Sequence, residues 1–264
     1  RRQSYHRDRK RQIALVGDSF TFGEGIKETD TSGYFLNHKY PAINFQNRGK
    51  AGANIGDITG LCKEIIESAP EIDEVIYFYN LNDVRMSKTV ASQLKNIIDF
   101  QNVFWANSEE KFGPIAQLLS KSVLISSIRK VWIIKRESSR TIRNYRDMYL
   151  SENNHKEFVS TMDEINSMKD MLARHGISFR VVIYPLLHKD IFGRYQFEDI
   201  HAAIINACNE REIKCLDGYE PFKDYYSLKK FAVHPLDYHP NGLSNRLLVD
   251  YIYKNNFIKD KPGS

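Results

Sequence analysis

The sequence has few cysteines and lacks the spacings that disulfide frameworks and zinc sites need. Its three cysteines, Cys62, Cys208 and Cys215, are odd in number and form no Cys-x-x-Cys pair, and His-Glu-x-x-His is absent. These absences exclude a disulfide scaffold, a zinc site of the usual spacing and metallopeptidase chemistry. We expect three free thiols in or near the core.

Several other signatures are also missing. The 14 glycines form neither Gly-x-x-x-x-Gly-Lys nor Gly-x-Gly-x-x-Gly, which argues against nucleotide chemistry. The absence of Gly-x-Ser-x-Gly excludes the nucleophile elbow of the α/β-hydrolase fold. No apolar run in the sequence is long enough to span a bilayer.

Positive charge is concentrated in two segments. The chain carries +5 overall, from 38 Lys and Arg against 33 Asp and Glu. Residues 1–11 hold six basic residues against Asp8, and Ile115 to Leu150 hold eight against Glu137 and Asp147. No recognised nucleic-acid motif accompanies these segments, so we expect no nucleic-acid partner.

Each basic segment has more than one interpretation. Residues 1–11 are predicted to be a solvated arm, or the juxtamembrane end of a tether lying upstream of Arg1. A tether would place the protein in the cell envelope or periplasm, and the alternative location is the cytoplasm. Residues 86–155 are predicted to be a helical insertion, because roughly seventy residues exceed an ordinary connection. Its basic half could form a lid, a surface for anionic lipid or polysaccharide, or a packed hairpin with a solvated face.

Short apolar runs alternate with segments of helical periodicity. The predicted strands are Ile13 to Val16, Ile43 to Gln46, Glu74 to Tyr79, Phe179 to Tyr184 and Lys214 to Leu216. The predicted helices are Ile58 to Ser68, Phe158 to His175, Phe197 to Arg211 and Ser244 to Tyr253. This alternation predicts a three-layer α/β/α sandwich with a mainly parallel five-stranded sheet, spanning residues 12–258 and followed by a tail, 259–264.

The most informative motif is Ser19, which comes directly after the first predicted strand. A serine hydroxyl is a weak nucleophile until a neighbouring base takes its proton, and His239 is the candidate base. Asp237 is the candidate carboxylate to orient that histidine. Taken alone, each of these residues is also compatible with turn or cap chemistry.

Four ordered sequence blocks together resemble the GDSL esterases and lipases in their SGNH hydrolase form. Ser19 matches the first block, Gly52 the second, Asn82 the third, and His239 with Asp237 the last. The matched region runs from Gly17 to Asn241 and so covers most of the chain. The third block departs from the family pattern, because Asn80 stands where a glycine is usual. In the last block Leu236 occupies the usual position of the acid, and Asp237 stands one residue nearer the histidine.

The resemblance implies a flavodoxin-like fold and a serine esterase. Ser19 would be the nucleophile, and the backbone N–H groups of Ser19 and Gly52 with the Asn82 side chain would form the oxyanion hole. The substrate would be an O-acetyl or short-acyl ester on a carbohydrate or lipid, and no metal or cofactor would be needed. The same residues could instead serve an O-acyltransferase, and a non-catalytic binding module of the same fold is a further alternative.

Overall fold

The computed structural model describes most of the chain outside its central segment. The described residues are 11–84, 142–151, 155–187, 195–225, 228–234 and 237–259. The chain divides into two compact units, one comprising Arg1–Arg85 with Arg146–Ser264 and the other Met86–Tyr145. Of the second unit, only residues 142–145 are described, and they are helical. The lid, lipid-binding and hairpin interpretations of the basic insertion therefore concern residues that lie almost entirely outside the described ones.

A five-stranded parallel sheet forms the centre of the larger unit. Its strands are β1 (Arg11–Gly17), β2 (Ile43–Asn47), β3 (Glu74–Tyr79), β4 (Ser178–Ile183) and β5 (Lys214–Asp217). They pair in the order β2-β1-β3-β4-β5, with every neighbouring pair parallel. This is the flavodoxin-like strand order. The predicted fold class and all five predicted strands are confirmed.

Helices flank the sheet, and a small ribbon is added near the end of the chain. The helices are α1 (Ser19–Phe22), α2 (Ser32–Lys39), α3 (Ile55–Ser68), α4 (His155–Ala173), α5 (Glu198–Glu210) and α6 (Gly242–Lys254), and residues 142–150 are also helical. Helix α3 packs against α4, and α2 packs against α6. The ribbon consists of β6 (Ala232–His234) and β7 (Asp237–Pro240), which pair antiparallel.

The sequence specifies these elements through burial and capping. All six residues of β3 are buried, as expected for a central strand covered on both faces. Helix α3 begins at a capping box, in which the Asn54 side chain accepts from the backbone N–H of Asp57 and the Asp57 side chain accepts from that of Asn54. Its buried residues Ile58, Cys62 and Ile65 recur at helical spacing and point to the core.

Arg11 is the place where the structure differs from the predicted arm. The arm was predicted to include residue 11, but β1 already begins there. The reason is an ion pair, because the guanidinium of Arg11 binds the fully buried carboxylate of Glu74, which Arg180 also binds. The Arg11 side chain also donates to the carbonyl of Lys259, so it ties the C-terminal segment to the start of the sheet.

The cysteines are free, as expected from the sequence. Cys62 and Cys208 are buried and Cys215 is partly buried. Burial raises the pKa of the Cys62 thiol to about 12, which keeps it protonated and unreactive at neutral pH. Among the described residues, no helix combines the length and the apolar character needed to cross a membrane.

The cluster around Glu74 gives a stability prediction. Glu74→Gln leaves the mostly buried guanidinium groups of Arg11 and Arg180 without their counter-charge. We expect the free energy of unfolding to fall by about 3 kcal/mol, measured by urea denaturation. Glu71→Gln is the control, because this exposed glutamate makes no ion pair among the described residues, and it should change stability little. Equal stabilities of the two variants would contradict the role given to Glu74.

Candidate active site

A serine and a histidine that lie far apart in the sequence meet at one edge of the sheet. The distance between Ser19 Oγ and His239 Nε2 is 2.8 Å, a hydrogen bond across 220 residues. Ser19 is the first residue of α1, directly beyond β1, and His239 lies on β7. The serine is 8% exposed, whereas the histidine side chain is 26% exposed. The nucleophile and base predicted from the sequence therefore have the geometry of an activated hydroxyl.

Asp18 links the serine to the loop that follows β3. Its Oδ1 accepts from the Phe20 N–H at 2.9 Å and so caps α1, and its Oδ2 accepts from Asn82 Nδ2 at 3.2 Å. Asp18 is buried, and this burial raises its pKa, while the two donors work in the opposite direction. In the part of the chain that the structure describes, Asn82 Nδ2 has no other partner, so one amide hydrogen is left for a ligand.

The Asp83 carboxylate stabilises the loop that carries Asn82. The Asp83 carboxylate accepts from the Tyr77 hydroxyl at 2.9 Å and from the Asn80 N–H at 3.0 Å. Burial and the nearby charge of Asp18 raise the pKa of Asp83. The Leu81 carbonyl accepts from the Tyr149 hydroxyl at 2.8 Å.

Asn80, which replaces the usual glycine, fits this loop. Its side-chain oxygen accepts from the backbone N–H of Asn82 at 3.4 Å, so Asn80 is the N-cap of the short 3₁₀ turn Leu81–Asp83. The substitution therefore leaves Asn82 beside Asp18.

The loop after β2 packs against the helix that carries the serine. Asn47 Nδ2 donates to the Thr21 carbonyl at 2.8 Å, and Asn47 Oδ1 accepts from the Gly49 N–H at 3.0 Å. A Cβ on Gly49 would stand 2.3 Å from the Phe22 nitrogen, so only glycine permits this approach. Gly52 is exposed further along the loop, and its N–H has no hydrogen-bond partner among the described residues. Its part in an oxyanion hole stays a prediction.

Asp237 and Glu24 complete the surroundings of His239. Asp237 begins β7, but its side chain lies outside the described residues, so its orienting role also stays a prediction. Glu24 was missed in the sequence, although its Oε2 lies 3.7 Å from His239 Nε2. The available signal was a lone carboxylate between two glycines shortly after Ser19.

A second imidazole–carboxylate pair lies elsewhere and is structural. His201 is fully buried, with Nδ1 at 2.6 Å from Asp217 Oδ1 and Nε2 at 2.7 Å from the Tyr195 hydroxyl. Burial alone would raise the pKa of Asp217, but the hydrogen bond and charge of His201, the Tyr219 N–H and the charge of Lys223 together lower it below its ordinary value. Both ring nitrogens are occupied, so this histidine joins α5 to the end of β5 and to Tyr195 and is not available as a base. Within the described ranges, no three His, Cys, Asp or Glu side chains cluster as metal ligands would.

Comparison with known proteins supports the fold. No protein-family model matches the sequence, and no curated protein matches it. Among solved structures, the chain is similar to a member of the lipolytic protein G-D-S-L family from Veillonella parvula DSM 2008, with 13% identity, TM-score 0.51 and coverage of 93% of this chain and 98% of that one. It is also similar to the acetyl xylan esterase AlAXEase, with 15% identity, TM-score 0.51 and coverage of 93% of this chain and 99% of that one. A third similar structure is TesA, with 9% identity, TM-score 0.52 and coverage of 92% of this chain and 97% of that one. The chain thus has the fold of the GDSL and SGNH proteins, as the resemblance implies.

The contact of Gly49 with α1 can be tested by substitution. Gly49→Ala forces a methyl group into the backbone of Thr21 and Phe22, so we expect a loss of about 2 kcal/mol in the free energy of unfolding. Gly60→Ala is the control, because this helical glycine has open space around it and should gain about 0.5–1 kcal/mol. Urea denaturation measures both, and an unchanged stability of Gly49→Ala would show that the loop does not need this approach.

Proposed function

We propose that the protein is a serine esterase of the SGNH/GDSL type that hydrolyses an O-acetyl or short-acyl ester on a carbohydrate or lipid. The observation that carries this proposal is the 2.8 Å contact between Ser19 Oγ and His239 Nε2. A neutral imidazole at this distance can take the hydroxyl proton as the oxygen attacks. The contact argues against a binding module that merely keeps the fold.

In the first half of the reaction, Ser19 Oγ bonds to the acyl carbon and its proton passes to His239 Nε2. The negative oxygen of the tetrahedral intermediate is held by the backbone N–H groups of Ser19 and Gly52 and by the free amide hydrogen of Asn82. The intermediate then collapses, the bond to the alcohol breaks, and the alcohol leaves with the proton from Nε2. Asp237 would orient His239 during both transfers.

These groups can act together because they lie at the same edge of the sheet. Ser19, Gly52 and Asn82 follow β1, β2 and β3, which are neighbours in the sheet. The carboxyl ends of parallel strands meet at one edge, where ligands of doubly wound folds bind. The bond between Asn82 and Asp18 fixes the amide before substrate arrives, and a donor fixed in advance costs no reorganisation during the reaction.

The support for the substrate class is less specific than the support for the reaction. The similar structures include an acetyl xylan esterase and a lipolytic family member, which fits an acyl ester of a carbohydrate or a lipid. An O-acyltransferase would share every step up to the acyl-enzyme and differ only in the acceptor. A tether upstream of the basic arm and a location in the cell envelope accord with a glycan or lipid substrate.

The nucleophile is tested by Ser19→Ala. We expect loss of p-nitrophenyl acetate hydrolysis by at least about 10³-fold, and no labelling by a fluorophosphonate probe, because the hydroxyl that we propose as the nucleophile is removed. Ser167→Ala is the control, since this serine lies on α4 and, among the described residues, its hydroxyl donates to the Asp163 carbonyl. Labelling of the wild-type protein should map to Ser19. Turnover by a folded Ser19→Ala variant equal to that of the wild type would end the esterase proposal.

The oxyanion role of Asn82 has a separate test. Asn82→Ala removes one donor and should lower kcat for p-nitrophenyl acetate by about 10²-fold to 10³-fold, with a smaller effect on KM. Asn209→Ala, an exposed substitution on α5, is the control and should leave both constants unchanged. A rise in KM with an unchanged kcat would mean that Asn82 contributes equally to binding the ground state and the transition state, and so does not act as a specific oxyanion donor.

A further inference from the structure

The turn that follows the nucleophile helix fixes the position of Glu24. The N–H groups of Gly23 and Glu24 both donate to the Ser19 carbonyl, at 2.9 and 3.1 Å. Gly23 and Gly25 have φ angles of 82° and 77°, which favour glycine, so the chain turns sharply on either side of Glu24. The backbone of Glu24 is therefore attached to the residue that carries the nucleophile.

The same turn contacts the ribbon that carries the base. A Cβ on Gly25 would stand 3.2 Å from Val233 of β6, and β6 pairs with β7, where His239 lies. The carboxylate of Glu24 lies near the imidazole, with Oε2 at 3.7 Å from Nε2. The Glu24 side chain is 53% exposed, so the carboxylate approaches the imidazole from the solvent side.

Nε2 is the nitrogen at which both halves of the reaction take place. It bonds Ser19 Oγ in the free protein, and once the serine is acylated it must accept a proton from the second nucleophile. The ring of Phe20 stands beside the imidazole, with centroids 5.3 Å apart, and the buried Asp18 carboxylate interacts with it electrostatically. Glu24 is an exposed carboxylate near this nitrogen.

The separation of 3.7 Å is too long for a direct hydrogen bond and short enough for one oxygen atom to touch both groups. A water molecule has two O–H groups and can donate to His239 Nε2 and to Glu24 Oε2 at once. An alcohol has a single O–H group and can donate to only one of them. The pair of acceptors therefore distinguishes water from an alcohol as the second nucleophile.

We infer that Glu24 is a positioning residue that holds the attacking water in deacylation and so favours hydrolysis over acyl transfer. This inference depends on the proposed esterase function. The water oxygen bonds to the acyl carbon while one of its protons moves to His239 Nε2, and the other hydrogen stays on that oxygen and donates a hydrogen bond to Glu24 Oε2. The acyl carbon–Ser19 Oγ bond then breaks, the Nε2 proton returns to Oγ, and the carboxylic acid leaves.

The partition of the acyl-enzyme between water and an alcohol tests this role. The protein is incubated with p-nitrophenyl acetate and a fixed concentration of methanol, and acetate and methyl acetate are quantified. Glu24→Ala should raise the ratio of methyl acetate to acetate roughly tenfold, as expected for loss of a hydrogen bond to a charged acceptor. Glu24→Gln keeps an oxygen acceptor without the charge, so its ratio should lie between those of Glu24→Ala and the wild type.

Glu28→Gln is the matched control, because Glu28 is an exposed carboxylate four residues along the chain and should leave the ratio unchanged. Wild-type ratios in both Glu24 variants would overturn the inference, as would an equal rise in Glu28→Gln. The ratio does not depend on which step limits the rate, and Glu24→Gln preserves shape should Glu24→Ala fold poorly.

Ser19→Ala, assayed in parallel, separates the two proposals. If this variant still releases p-nitrophenol at the wild-type rate, the esterase function fails and the inference fails with it. If Ser19→Ala is inactive but the Glu24 variants partition like the wild type, only the role of Glu24 is overturned.

Discussion

The arrangement of the site depends on the hydrogen bonds accepted by one buried carboxylate, that of Asp18. A carboxylate removed from water is costly unless donors replace the solvent, and here Phe20 N–H and Asn82 Nδ2 do so. The bond from the Phe20 N–H caps the helix that begins at Ser19. The bond from Asn82 Nδ2 holds the Asn82 side chain beside the start of that helix. A single desolvated group thus fixes the start of the helix that carries the proposed nucleophile and the position of the Asn82 amide, which lies 64 residues away in the sequence.

The sheet delivers three of the four parts of the site, and the fourth comes from an addition to it. Loops after three adjacent strands bring Ser19, Asn82 and the Gly49 turn together, because parallel strands end at one edge. His239 arrives on a short antiparallel ribbon, which contacts α1 and α6. The position of His239 therefore depends on the packing of this ribbon more than that of Ser19 does, since, among the described residues, β7 is not hydrogen-bonded to the central sheet.

The sequence predicted those elements whose signal is local. β1 and β3 are apolar runs bounded by polar residues, and Ser19 and Asn82 lie where such strands end. α1 and the ribbon were missed because they are three or four residues long, and α2 because its sequence shows no continuous apolar stripe. Arg11 was assigned to a solvated arm, because nothing in the neighbouring sequence shows that its side chain pairs with the buried Glu74, 63 residues later in the chain. Glu24 was missed because a lone carboxylate between two glycines is a weak signal, and its 3.7 Å separation from His239 Nε2 is a distance across the folded chain that sequence spacing does not show.

The hydroxyl of Tyr149 joins two points of the chain that are 68 residues apart, at the carbonyl of Leu81. Leu81 and Tyr149 are therefore held side by side by a contact within the larger unit. The position of Asn82, which follows Leu81, thus depends on that contact as well as on the strand from which its loop continues.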